Sequence, residues 1–143
     1  MVGVDLAEAF ISAAAARMQV VGLAGVVRVQ QGDACQLPFA DASFDAVHCE
    51  RMLTHLEQPV LALRGAARVL RPCGVMVVAE PDWAGFRTDL AMRADFDVLY
   101  ARLLPQRQAD MGLTLYRRFA EAGFTEGQAA PIWSHFTDWR RCA

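Results

Sequence analysis

The chain has 143 residues, 55% of them hydrophobic and 21% charged, a balance that suits one compact domain and argues against disorder. A net charge of -2 and a pI near 5.9 leave no basic footprint for nucleic acid. Apolar runs such as Val75-Met76-Val77-Val78-Ala79 are far too short to span a bilayer. No basic stretch precedes an apolar one at the start, so no signal peptide is read and the expected location is cytoplasmic.

Met1-Val2-Gly3-Val4 predicts a short buried strand that stops on an acid, Asp5. Residues 7–19 are rich in Ala and carry Phe10, Ile11, Ala14 and Met18 at helical spacing, which predicts an amphipathic helix. A second strand is expected over 26–30, ended by Gly32-Asp33. A polar turn then leads to a third strand over 46–49. Residues 59–70 predict a helix with Pro59 near its first turn and Leu61, Leu63, Ala67 and Leu70 toward the core. Arg71-Pro72-Cys73-Gly74 breaks that helix, and 75–81 reads as a buried strand. Helices are expected over about 88–104 and 114–122, the second closed by Gly123, with a weak strand over 132–136. Strands alternating with helices predict a parallel sheet covered on both faces. There is no internal repeat, low-complexity tract or interdomain linker.

The four cysteines, Cys35, Cys49, Cys73 and Cys142, form no C-x-x-C, and no His stands at zinc-ligand spacing from them, so no metal site is expected. They read as buried reduced thiols; the alternative is that Cys35 or Cys49 lines a pocket and reacts.

In an open parallel sheet, ligands bind outside the carboxyl ends of the strands. Asp5 ends the first predicted strand, Asp33 lies just past the second, and Glu50 ends the third. An acid at the first position can accept from both hydroxyls of a ribose. Asp33 can accept from an exocyclic adenine amine, and Glu50 stands where a cationic or amino-bearing part of a ligand could sit. A single Asp after a strand is equally explained by helix capping or turn formation.

Five segments come in order across about residues 2–124: VGVDLAEAF, GDACQLPFADASFDAV, VHCERMLTHLEQP, ARVLRPCGVMVVAEPDW and RRFAEAGF. With these the chain resembles the class I S-adenosylmethionine-dependent methyltransferases, in the small-molecule group that includes ubiquinone/menaquinone-biosynthesis-type enzymes. The resemblance implies a Rossmann-like α/β fold, a mostly parallel sheet with helices on both faces, formed by residues 1–143 as a single partial methyltransferase domain. It implies S-adenosyl-L-methionine as cofactor and a small-molecule methyl acceptor as partner, with no nucleic acid and no membrane span. Residue by residue, it implies that Asp5 holds the ribose hydroxyls with Leu6 beside the adenine. Asp33 and Ala34 would meet the adenine edge, and Glu50 and Arg51 the methionine part. His55 matches the family's histidine after that strand, either packing the loop or taking part in catalysis. Trp83, Phe86, Phe96 and Tyr100 would wall an apolar acceptor, or serve as ordinary core. No catalytic residue is assigned.

Two departures stand out. The family's first strand, its glycine-rich loop and first helix precede the acid-ended strand, whereas this chain starts at that strand; Gly22 and Gly25 lie on the wrong side of the sheet to replace them. Cys73 stands where the family usually has a second glycine. The chain also stops short of the family's final hairpin partner. Truncation at the N-terminus, and at the C-terminus, is therefore expected, leaving two unpaired edges between the first and third strands. Those edges would pair with each other, with a strand from another copy or another chain, or with a preceding segment. The alternative to an enzyme is a non-catalytic or degenerate fragment that pairs with another chain. A dehydrogenase fits poorly without a glycine fingerprint.

Overall fold

A computed structural model describes residues 1–83, 98 and 107–131. β1 (Val2–Asp5) and β2 (Arg28–Gln31) run parallel, with Val2 opposite Arg28 and Asp5 opposite Gln31. α1 (Glu8–Val20) is the crossover between them. Its run of alanines favours helix, and Gly22, at φ 73, turns the chain back toward β2. β3 (Phe44–Glu50) and β4 (Leu70–Ala79) form a second parallel pair, joined by α2 (Pro59–Val69). α3 (Met111–Glu121) is the last helix among the described residues. The parallel strands and their helical crossovers follow the predicted pattern. The expected helix over 88–104 and strand over 132–136 lie outside the described residues.

The helix faces differ from the expectation in one consistent way. In α2 the buried side chains are Pro59, Ala62, Leu63, Ala66 and Val69, while Leu61 is 41% exposed and Ala67 half-buried. Residues three and four apart share a helix face and residues two apart do not, so choosing Leu63 turns Leu61 outward. In α1, Ile11, Ala14 and Met18 are half-buried, but Phe10, one position off that stripe, is 67% exposed.

β4 starts at Leu70, directly after α2, earlier than expected. Phe44 pairs with Leu70 and Ala46 with Val75, so Arg71 to Gly74 form an irregularity within the ladder rather than a break before it. Beyond it the strand alternates: Met76 and Val78 pack on the core, and Val75 and Val77 are exposed on the other face.

The core lies where α2, β3, β4 and α3 meet, around Cys49, Leu53, Leu63 and Met111. α3 begins at Met111, three residues before the predicted 114, and Met111 is fully buried. Gly112 lets the helix start lie against the segment after β4, because a Cβ there would stand 2.7 Å from Asp82 Cβ. Gly123, at φ 97, closes α3 as expected, and Phe119 meets Phe124 edge to face at 4.9 Å. Among residues 1–33 no side chain is fully buried.

Among the described residues the strands form two hydrogen-bonded pairs, β1–β2 and β3–β4, with no hydrogen-bonded strand between them. β1 and β3 therefore each have one paired edge. No helix of the described residues is long and apolar enough to cross a membrane.

Candidate functional site

At the carboxyl end of β1 the chain turns sharply into α1. Asp5 Oδ1 accepts a hydrogen bond from the Ala7 amide at 2.8 Å, which serves the helix start, since Ala7 offers no capping side chain. Asp5 is exposed, and its second oxygen has no hydrogen-bond partner among the described residues. The neighbouring strand end is tied alongside. Gly32 donates to the Asp5 carbonyl at 3.0 Å, and Gln31 Nε2 to the Leu6 carbonyl at 2.9 Å. Leu6 itself is exposed.

Asp33 plays a matching part after β2. Its Oδ1 accepts from the Cys35 amide at 2.8 Å and so caps a single 3-10 turn, Ala34–Gln36. Capping and ligand binding were alternatives for these two acids. The geometry shows capping by one oxygen in each.

The 3-10 turn packs against α2, with the Ala34 carbonyl over Gly65 and Cys35 Sγ 3.9 Å from the Gln58 carbonyl. This contact joins the β1–β2 half to the β3–β4 half. Burial, helped by the neighbouring Asp33 carboxylate, pushes the Cys35 thiol up. Cys49 is pushed up to about 12, by burial first and by Glu80 second. The surroundings of both thiols disfavour the thiolate that a reactive cysteine needs. The expectation of buried thiols holds for Cys49 alone: Cys35 is half-buried and Cys73 exposed, while Cys142 lies outside the described residues.

The end of β3 is the second half of the site. Glu50 and Arg51 are exposed and pair with each other at 3.3 Å. Arg51 has φ 50, a left-handed conformation that costs a non-glycine residue roughly 1–2 kcal/mol. Its amide still donates to the Ala79 carbonyl at 2.9 Å, one step beyond the ladder. Glu80 then reaches over from the end of β4, where Oε1 accepts from the amides of Met52 and Leu53 at 2.8 and 2.7 Å. Those amides open a second 3-10 turn, Leu53–His55, in which Leu53 and Thr54 are buried. His55, the last residue of that turn, is exposed. Glu80 Oε2 and Asp82 Oδ1 are buried without a hydrogen-bond partner.

Glu80's hold on the β3 turn was not foreseen from the sequence. Trp83 is half-buried just past β4, and Phe86, Phe96 and Tyr100 lie outside the described residues. A hollow of about 350 Å³ between α1 and β2 is lined by Met18, Gln19, Val27 and Arg28 among others, and by none of these acids.

Asp5, Asp33, Glu50 and Glu80 thus all stand at the carboxyl ends of parallel strands. The methyltransferase-domain family matches residues 1–78, a span that contains the first three of them. An uncharacterized 37.1 kDa protein in a transposon of Streptomyces fradiae is 34% identical, over 96% of this chain and 40% of that protein. A demethylmenaquinone methyltransferase of Beutenbergia cavernae is 50% identical over 58 residues, 38% of this chain and 24% of its own. The crystal structure of a provisionally named methyltransferase from Bacillus halodurans superposes with a TM-score of 0.69 at 27% identity, over 86% of this chain and 52% of that one. The chain spans about half or less of the length of each of these proteins. A match over more than half of the chain and a shared Rossmann-like fold agree: this chain belongs to the methyltransferase-domain family.

Proposed function

We propose that the chain, as a single domain, binds S-adenosylmethionine across its strand ends and serves methyl transfer to a small-molecule acceptor. The observation that carries this reading is the row of acids Asp5, Asp33 and Glu50 at the carboxyl ends of parallel strands in a chain of this family. Carboxylates only accept hydrogen bonds, and the cofactor offers donors: two ribose hydroxyls, an adenine amine and an ammonium. Asp5 fits this use, because it caps α1 with one oxygen and keeps the other exposed.

Asp5 would hold the ribose with Leu6 beside the adenine, Asp33 and Ala34 the adenine edge, and Glu50 and Arg51 the methionine part. When bound, the cofactor supplies an electrophilic methyl group on a sulfonium. The chain's own task is alignment and exclusion of water, since in-line displacement depends chiefly on both. Trp83, with Phe86 and Tyr100, would wall the acceptor.

Calorimetry with S-adenosylhomocysteine on the full chain tests the reading. Binding is expected, and Asp5→Ala should weaken it by about 1–3 kcal/mol, the loss of hydrogen bonds to a charged group. Unchanged affinity in a folded Asp5→Ala variant would remove Asp5 from the site. One observation favours a second reading, a non-catalytic unit that pairs with another chain: among the described residues β1 and β3 each have a strand on one edge only. Absence of binding by the full chain, with assembly onto a partner strand, would support it.

A further inference from the structure

The two residues expected at the methionine part, Glu50 and Arg51, end β3 and begin the turn after it, and that turn stands in an unfavourable shape. Arg51 is left-handed at φ 50, and Met52 follows at φ -111 and ψ -46. The amides of Met52 and Leu53 precede or open a one-turn helix and have no partner within it. Something outside the turn must hold them.

Glu80 does so, from 27 and 28 residues away in sequence. One carboxylate oxygen, Oε1, accepts from both amides, while Oε2 has no hydrogen-bond partner. From the opposite side, Thr54 and Gln108 tie the turn to the segment before α3: Gln108 donates its amide to the Thr54 carbonyl, and Thr54 Oγ1 donates to the Gln108 carbonyl, both at 3.1 Å. Glu80 is itself held in place. Ala79 is in register with Glu50, and α3 abuts Asp82 through Gly112.

We infer that Glu80 is a positioning residue: through Oε1 it sets the turn Arg51 to His55, and through the turn it sets where Glu50 and Arg51 stand at the cofactor site. The consequence for the cofactor rests on the methyltransferase reading above; the hold on the turn does not. Because a single oxygen makes both bonds, the carbonyl of a glutamine can replace it, and the negative charge is not required.

The test compares Glu80→Ala, Glu80→Gln and Glu80→Asp in the full chain by amide hydrogen exchange and by calorimetry with S-adenosylhomocysteine. In Glu80→Ala, exchange at the Met52 and Leu53 amides should quicken by about tenfold or more, with β1 and β2 unchanged. Affinity for S-adenosylhomocysteine should fall by about fivefold or more. Glu80→Gln should restore both to within about twofold of the original. Should Glu80→Ala not fold, Glu80→Asp decides, since one methylene less takes its carboxylate out of reach of both amides and should free them. Unchanged exchange at Met52 and Leu53 in the Ala or Asp variant overturns the inference. So does a glutamine variant as impaired as the alanine one, which would mean that the charge itself is required. If the unaltered chain binds no S-adenosylhomocysteine, the methyltransferase reading fails, and the exchange data alone still decide whether Glu80 holds the turn.

Discussion

Cys73 sits at φ 64 on the exposed irregularity of β4, in the conformation that glycine adopts freely and other residues resist. A glycine at this position would thus have a backbone reason. Relief of the left-handed strain, less the extra chain entropy of glycine, predicts that Cys73→Gly stabilises the fold by about 0.5–1 kcal/mol, measured as a shift in the urea midpoint. Cys49 makes a prediction about pH. Its thiol is raised from 9.0 to about 12 in the folded chain, by burial first and by Glu80 second. Below pH 9 both folded and unfolded chains keep the proton, so this contribution is fully present. As pH rises above 9 the unfolded chain ionises first, and stability is lost progressively toward pH 12. Urea midpoints measured across that range should fall, and Cys49→Ala should flatten part of the decline. At neutral pH a thiol reagent should label Cys73 and leave Cys49 untouched in the folded chain.

The segment between β2 and β3 shows how an element can look like a binding motif and serve as scaffold at once. Asp33 caps the turn Ala34–Gln36, and Phe39 meets Phe44 edge to face at 4.9 Å. Arg68, near the end of α2, donates to the carbonyls of Phe39 and Leu37 and to Asp41, at 2.7, 2.8 and 2.7 Å. Backbone bonds from Ala42 to Arg68 and from Ser43 to Val69 finish the join. Arg68→Ala should therefore cost about 1–2 kcal/mol of stability by urea denaturation, the range for charge-assisted bonds at a half-exposed site. Equal midpoints for the two chains would show that water serves those carbonyls as well. Elements of this kind were legible in the sequence where they rest on local pattern: alternation, helical spacing, Gly123 as a cap, acids after strands. What was not legible depends on partners distant in the chain. Leu61 and Phe10 were assigned to the core because periodicity gives a stripe but not which of two adjacent stripes meets the sheet. The hold of Glu80 on Met52 and Leu53 has no local signature, since an acid after a strand has many uses. The irregularity at Arg71 to Gly74 belongs to the register of β4 on β3, a pairing of residues distant in the chain.

On the scale of the whole molecule, the two halves are unequally built. All of the fully buried side chains among the described residues belong to the part from Cys49 onward, and the β1–α1–β2 part has none. The unequal burial coincides with the interruption between the two strand pairs. Among the described residues β1 and β3 each leave one edge of backbone donors and acceptors without a strand, and such edges template pairing with another chain. Direct pairing of β1 with β3 would have narrowed the span between Asp5 and Glu50 by about one strand spacing, ~4.8 Å, but the two are not hydrogen-bonded to each other. The interruption also falls between the acids expected at the ribose and those expected at the methionine part, so it bears on affinity as well as on assembly. The chain should therefore self-associate as its concentration rises, seen by sedimentation velocity. Its affinity for S-adenosylhomocysteine should be at least about tenfold weaker (about 1.4 kcal/mol) than that of a version given a family-like strand and glycine-rich loop ahead of Met1. A monodisperse monomer that binds as tightly as the extended version would overturn this, because backbone amides already present in the chain would then be serving the cofactor without a strand between β1 and β3.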